Sequence, residues 1–142
     1  VKTKLVKRYE CDFCGRRKYS VGSMKVHESS CTKNPDRKCR VCDLLDNAQT
    51  PTEDLLKTLP DPGDLFTQEW EPGRGLDQNE FRERLLKALP GLRDAANDCP
   101  ACIMAGLRLK GIPVPIAKPD FEFKKEMDDV FADVNERRTS WM

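Results

Sequence analysis

Apolar and polar positions change their rhythm along the chain, and each change marks an element. Residues 1–8 alternate β-forming side chains with lysine only in part, which predicts an extended arm or short strand. Residues 9–20 predict a β-hairpin with Gly15 in its turn, and 21–30 a short helix. After Pro35 the signal becomes helical. A short helix is predicted at 43–45, and another at 54–59, opened by Thr50-Pro51-Thr52-Glu53 and stopped by Pro60. Three prolines and three glycines lie between 60 and 75, so this stretch, with Leu65, Phe66 and Trp70, reads as a loop. Asp77-x-x-Glu80 resembles a capping box. Phe81, Leu85 and Leu89, flanked by Leu86, then form a stripe at helical spacing that Pro90-Gly91 should end, with a further turn or two over 92–97. A helix at 103–110 is closed by Gly111, and the prolines of 112–119 predict a stiff extended segment. Asp120 caps an amphipathic helix over 120–138, whose Phe123, Met127, Val130, Phe131 and Val134 share one face. That face is core or a surface for a protein partner.

The fold class implied is mainly α, with a small ββα-like finger at the N-terminus and an irregular helical body. The domains read as 1–34 and 35–142. Composition sharpens this. Hydrophobic residues make up 38% of 142 and charged residues 35%, with ten prolines, so the core is modest and cross-links must supply folding energy. No run of eighteen apolar residues occurs, so neither a membrane span nor a membrane partner is expected, and the N-terminus lacks the apolar core of a secretory signal.

Net charge is +1, but residues 1–40 carry 12 Lys+Arg against 4 Asp+Glu (+8), and 41–142 carry 13 against 20 (−7). Regions of opposite sign meet different partners or dock on one another.

The cross-links have an evident source. Seven cysteines and the single histidine give eight ligands, and eight divides into two closed sets of four. The odd cysteine count, the CxxC pairs and one completing histidine favour metal in a reducing compartment (cytoplasm, a eukaryotic nucleus, or a virion filled there) over disulfides. The first set is Cys11-x2-Cys14-x12-His27-x3-Cys31. Its spacing puts two thiolates on a knuckle and two ligands on one helical face.

This run resembles the C2H2-type zinc finger with its last histidine replaced by cysteine, a C2HC variant, over about residues 9–31. Met24 fits the apolar position of the finger helix and Tyr9 its leading aromatic; Lys18 stands where the family places its inner aromatic, with Tyr19 one place later. The resemblance implies a bound zinc. In DNA-reading fingers, helix positions −1, 3 and 6 meet bases. These fall on Ser20, Ser23 and Val26, none of which makes a bidentate base contact, so sequence-specific reading is not expected. Lys2, Lys4, Lys7, Arg8, Arg16, Arg17 and Lys18 can still meet phosphates, or form a solvated basic surface.

The second set is Cys39-x2-Cys42 with Cys99-x2-Cys102, 56 residues apart, each pair at the start of a predicted helix. A tetrahedral zinc there would close a long loop and pin the helices between. Cys99-Pro100-Ala101-Cys102 also looks like a thioredoxin-type CPxC, but no βαβ pattern surrounds it.

Catalysis finds little material. The lone histidine is needed by the finger, which leaves no Ser-His or Cys-His pair, no HExxH, no Walker A and no GxGxxG. The expectation is a non-enzymatic protein with two zinc ions, an interaction component of a larger assembly such as a phage or virus builds. A nucleic-acid-binding regulator using the basic finger, and a CxxC thiol-redox protein, are the alternatives.

Overall fold

The computed structural model describes residues 1–63, 65 and 75–139; Phe66, Trp70 and Trp141 lie outside the described residues. The described residues are mainly helical, with one two-stranded sheet among them. Strands β1 (Tyr9–Glu10) and β2 (Arg17–Lys18) pair antiparallel, Tyr9 opposite Lys18 and Glu10 opposite Arg17. Their turn closes through the Gly15 N–H to the Cys11 carbonyl at 3.0 Å, with Gly15 at φ +77, where a side chain would be strained. Helix α1 (Val21–Ser30) follows, as the sequence predicts, and the Ser20 hydroxyl accepts from the Ser23 N–H at its start. Met24, Cys11 and Cys31 form a small core of their own, with Tyr9 and Cys14 against it.

The helical body is built on α5 (Pro100–Leu109), which packs against α3 (Thr52–Lys57), α4 (Gly75–Ala95) and α6 (Phe123–Thr139). Ile103, Leu107, Leu85 and Leu92 are fully buried there, together with Leu55 and Phe121. Each such side chain contributes about 1.5–3 kcal/mol on burial. Gly106 lets α4 approach closely: a Cβ at this position would stand 3.3 Å from Leu92 Cδ1. α2 (Arg40–Leu44) is a single turn or so beside this core, with Val41 and Cys42 buried in it.

Finger and body are joined by side-chain and backbone bonds. Arg108 of α5 donates to the Thr32 hydroxyl at 2.7 Å, and the Lys38 N–H donates to the Ser29 carbonyl at 2.8 Å.

Several expectations are corrected. Pro90 does not stop a helix: α4 runs through it to Ala95, joining two predicted elements. Proline removes one N–H bond to the preceding turn. However, Leu89 and Leu92 on either side of it are both buried and hold the backbone in register. The turn after α4 then uses Asn97 (φ 54) and Asp98 (φ 56), where the Asp98 N–H reaches the Arg93 carbonyl at 2.9 Å. Gly75 already begins α4, so Asp77 lies within its first turn rather than capping it. The proline-rich stretch is not wholly extended, because Val114–Ala117 form a 3-10 turn held by Arg82 Nε donating to the Ile116 carbonyl at 3.1 Å. The last helix starts at Phe123, not 120, because Phe121 is buried and the Asp120 carbonyl accepts from Arg93 Nη2 at 2.7 Å.

Pro90 is exposed and costs α4 one backbone bond, while the buried face of the helix is intact. Pro90→Ala restores one backbone bond and better propensity, and should stabilise the protein by about 1 kcal/mol or more. The check is the urea midpoint of the metal-loaded protein; a lower midpoint would mean that the proline itself serves the packing of Leu92.

Candidate metal centres

The first centre comes together where the hairpin meets α1. Cys11 and Cys14 sit on the knuckle, His27 is in the last turn of α1, and Cys31 is the residue just past its end, with extended backbone (φ −60, ψ 131). His27 and Cys31 therefore do not share a helical face; the chain leaves the helix to bring Cys31 back to the site. Cys14 Sγ and His27 Nε2 are 3.2 Å apart. The second centre is built from two matching halves. Cys39 is the N-cap of α2 and Cys99 the N-cap of α5, which puts Cys42 and Cys102 in the first turn of each helix. The Cys39 sulfur accepts from the Cys42 N–H at 3.3 Å. Cys39 and Cys99 sulfurs are 3.4 Å apart, Cys42 and Cys102 sulfurs 3.5 Å.

In each centre all ligand atoms lie within 4.8 Å of one another. A tetrahedral ion with sulfur at about 2.3 Å needs sulfurs about 3.8 Å apart. Both centres thus have the dimensions of a single tetrahedral ion, one with three sulfurs and a nitrogen, the other with four sulfurs. Soft donors in this geometry suit zinc or iron and not magnesium or calcium. Tyr19, by contrast, is 67% exposed and takes no part in the finger core.

Protonation tells the same story. Hydrogen bonds from the Cys102 and Cys99 thiols hold Cys39 far below the usual thiol range. Burial, followed by the neighbouring Cys102, pushes Cys42 up to about 12. Hydrogen bonding with Cys102 and Cys39, and then burial, raises Cys99. In the finger, burial pushes Cys31 up to about 11. Burial also raises Cys14, but bonds from the Arg16 backbone and the Cys11 and Cys31 thiols outweigh it, for a net lowering. Burial, then the charges of Arg16 and Lys18, lower His27, which keeps it a neutral ligand near pH 7. Metal-free, Cys39 ionises more readily than Cys42 or Cys99, and a bound cation would favour the thiolate at these raised positions.

Arg37, two residues before Cys39, is buried, and nothing in the sequence marks it among the other basic residues. It is 4% exposed, and its Nη1 has no hydrogen-bond partner among the described residues. Burial works against its charge, but the nearby Cys39 and Cys102 sulfurs more than compensate and raise its pKa. Gln49 fixes the loop that carries it, donating Nε2–H to the Arg37 carbonyl at 2.8 Å and accepting the Cys39 N–H at 2.6 Å.

The other candidate residues separate. Lys2, Lys4, Lys7, Arg8, Arg16 and Arg17 are exposed and Lys18 is half-buried; Arg8 lies over the Tyr19 ring at 5.7 Å. On α6, Phe123, Met127 and Val130 pack against the core and Val134 is buried, whereas Phe131 is 50% exposed. No helix among the described residues is long and apolar enough to cross a membrane. Comparison with protein-family models, curated proteins and solved structures finds no match for this chain.

Two measurements check the centres. Native mass spectrometry should find two metal ions per chain, and Cys99→Ser should lose one of them; retention of both would break the pairing. Cys31, Cys42 and Cys99 are raised above neutrality, so they carry protons when metal-free and must release them on binding. Affinity for metal should therefore rise with pH between about 6 and 8 and weaken as pH falls. Titration calorimetry in buffers of different ionisation enthalpy reads the released protons, and buffer-independent heats would contradict this.

Proposed function

We propose that the chain is a non-enzymatic zinc protein in which a C2HC finger and a four-cysteine zinc staple support a contact component of a larger assembly. The observation that carries this reading is that every cysteine and the only histidine fall into two complete quartets. A full quartet leaves no position open for substrate or water, as a catalytic zinc requires. Cys99 and Cys102 are both fully buried and face Cys39 and Cys42, which supports a staple over thiol-redox exchange at the CPxC run. Tetrahedral sets of four thiolates, or of three thiolates and an imidazole, are those in which structural zinc is bound, and zinc needs no redox partner. A reducing compartment suits seven thiols kept free for metal. The economy of the fold suits a phage or viral assembly.

The contact surface in this reading lies mainly on the finger, with Phe131 of α6 as a second point. Phe13, Tyr19, Val21 and Val26 are all exposed there. The remaining α6 residues of the apolar stripe are occupied with the core. One observation favours a second reading, nucleic-acid contact: an exposed Tyr19 ring beside Arg8 and the exposed Arg16 and Arg17 offers stacking and phosphate charge together.

A photo-crosslinking residue placed at Tyr19, at Phe131, and at exposed Lys87 as control separates these in the protein's own cells. The proposal expects a discrete protein adduct at Tyr19 or Phe131 and none at Lys87. A nuclease-sensitive adduct at Tyr19 that disappears at high salt supports the second reading. Adducts no different from the Lys87 control at both positions would overturn both.

A further inference from the structure

Residues 1–8 lead into β1 as an exposed arm, and no backbone hydrogen bond ties them to the rest of the chain among the described residues. The arm carries Lys2, Lys4, Lys7 and Arg8 and no carboxylate. Between these cations stand Leu5, 103% exposed, and Val6, 64% exposed. Two adjacent apolar side chains in water gain by burial, but a surface that takes them must also accept the flanking positive charge. The body has such a surface. Two hollows of about 390 and 350 Å³ lie where residues 43–47 face α6, with Arg137 in the wall of both. Leu44, Leu45, Val130 and Val134 give them apolar wall. Arg137 pairs with Asp133, and Arg93 pairs with Glu126 and Asp98. Asp43, Asp46 and Asp129 line the same cleft without an ion pair among the described residues, against Arg138 as the one cation there in that condition.

We propose that the arm of one copy of this chain docks in the acidic cleft of a second copy, its cations against Asp43, Asp46 and Asp129 and Leu5 and Val6 on the apolar wall. The two surfaces complement each other in charge and in hydrophobicity. Length permits the contact. Residues 2–8 extend to about 24 Å, and the stretch of α6 from Asp129 to Arg138 is about 14 Å long. A nucleic acid would answer the cations through its phosphates but leave Leu5 and Val6 in water, whereas the cleft answers both. The contact joins unlike surfaces, so two copies can exchange arms and close, or copies can add head to tail. The inference goes beyond the contact role proposed for Tyr19 and Phe131 and uses neither residue.

The test is sedimentation velocity of the metal-loaded whole chain, stripped of nucleic acid, at about 100 μM. The wild type should sediment as more than one chain in low salt and shift toward the monomer in about 0.5 M salt, where exposed charges are screened. Two double variants follow, Lys4→Glu with Lys7→Glu in the arm, and Asp46→Asn with Asp129→Lys in the cleft. Each should raise the concentration needed for association by about tenfold or more. All four positions are exposed, so the core is untouched. An equimolar mixture of the two variants should associate again, because it sets the unaltered arm of one against the unaltered cleft of the other. A monomeric wild type overturns the proposal, and so does association that both variants leave unchanged. A mixture that stays monomeric also overturns it, since the arm would then serve its own chain or another partner. Crosslinks at Tyr19 or Phe131 would stand in all three cases.

Discussion

Four sulfurs packed within 4.8 Å in a space closed to water are the constraint that the helical body depends on. Thiolates at that spacing repel, and thiols there waste the donors that burial makes expensive to leave unpaired. A divalent ion resolves both problems and converts a weak point into an anchor. The helices around it show why an anchor is needed. α2 has five residues and α3 six, well below the length at which an isolated helix holds in water. Structural zinc can supply roughly 10 kcal/mol or more. That is as large as the whole net stability of many domains, about 5–15 kcal/mol. Leu55 and Leu85 can then be held between two fixed points rather than by core area alone.

Charge is distributed around these centres with a consistent sense. The finger lies in a stretch of net +8 and the body in one of net −7. Yet among the described residues the contacts that join them are single directed bonds, such as Arg108 to Thr32 and Lys38 to Ser29, rather than ion pairs. The finger's basic face therefore stays open to solvent. Inside the body, Arg37 is buried, and Arg93 pairs with Glu126 and lies 5.8 Å over Phe121 to tie α4 to α6.

The ligand quartets were legible because coordination imposes spacing on the chain, and spacing is what a sequence displays. The bounds of α1 were legible for a similar reason, with a capping serine before it and Cys31 after it. Pro90 misled because a local rule about proline competes with burial of Leu89 and Leu92, and burial depends on neighbours distant in sequence. The shift of the last helix to Phe123 has the same origin: Arg93, 27 residues away, takes the Asp120 carbonyl. Arg37 was illegible altogether. Its burial depends on a fold that hydropathy does not encode.

The stripe on α6 shows how this difference alters the functional reading. Five apolar residues at helical spacing are equally consistent with core and with a partner surface. Packing resolves four of them inward, so the helix contributes its apolar face to folding and leaves only Phe131 of the stripe exposed. Exposed apolar surface is instead concentrated on the finger at Phe13, Tyr19, Val21 and Val26, the same small unit that carries the exposed arginines. Mixed apolar and basic exposure on one small unit leaves aromatic rings that water solvates badly. In the proposed contact role the body's buried centre has a mechanical meaning: it would provide a fixed platform from which the N-terminal unit, attached through Thr32 and Ser29, presents that surface.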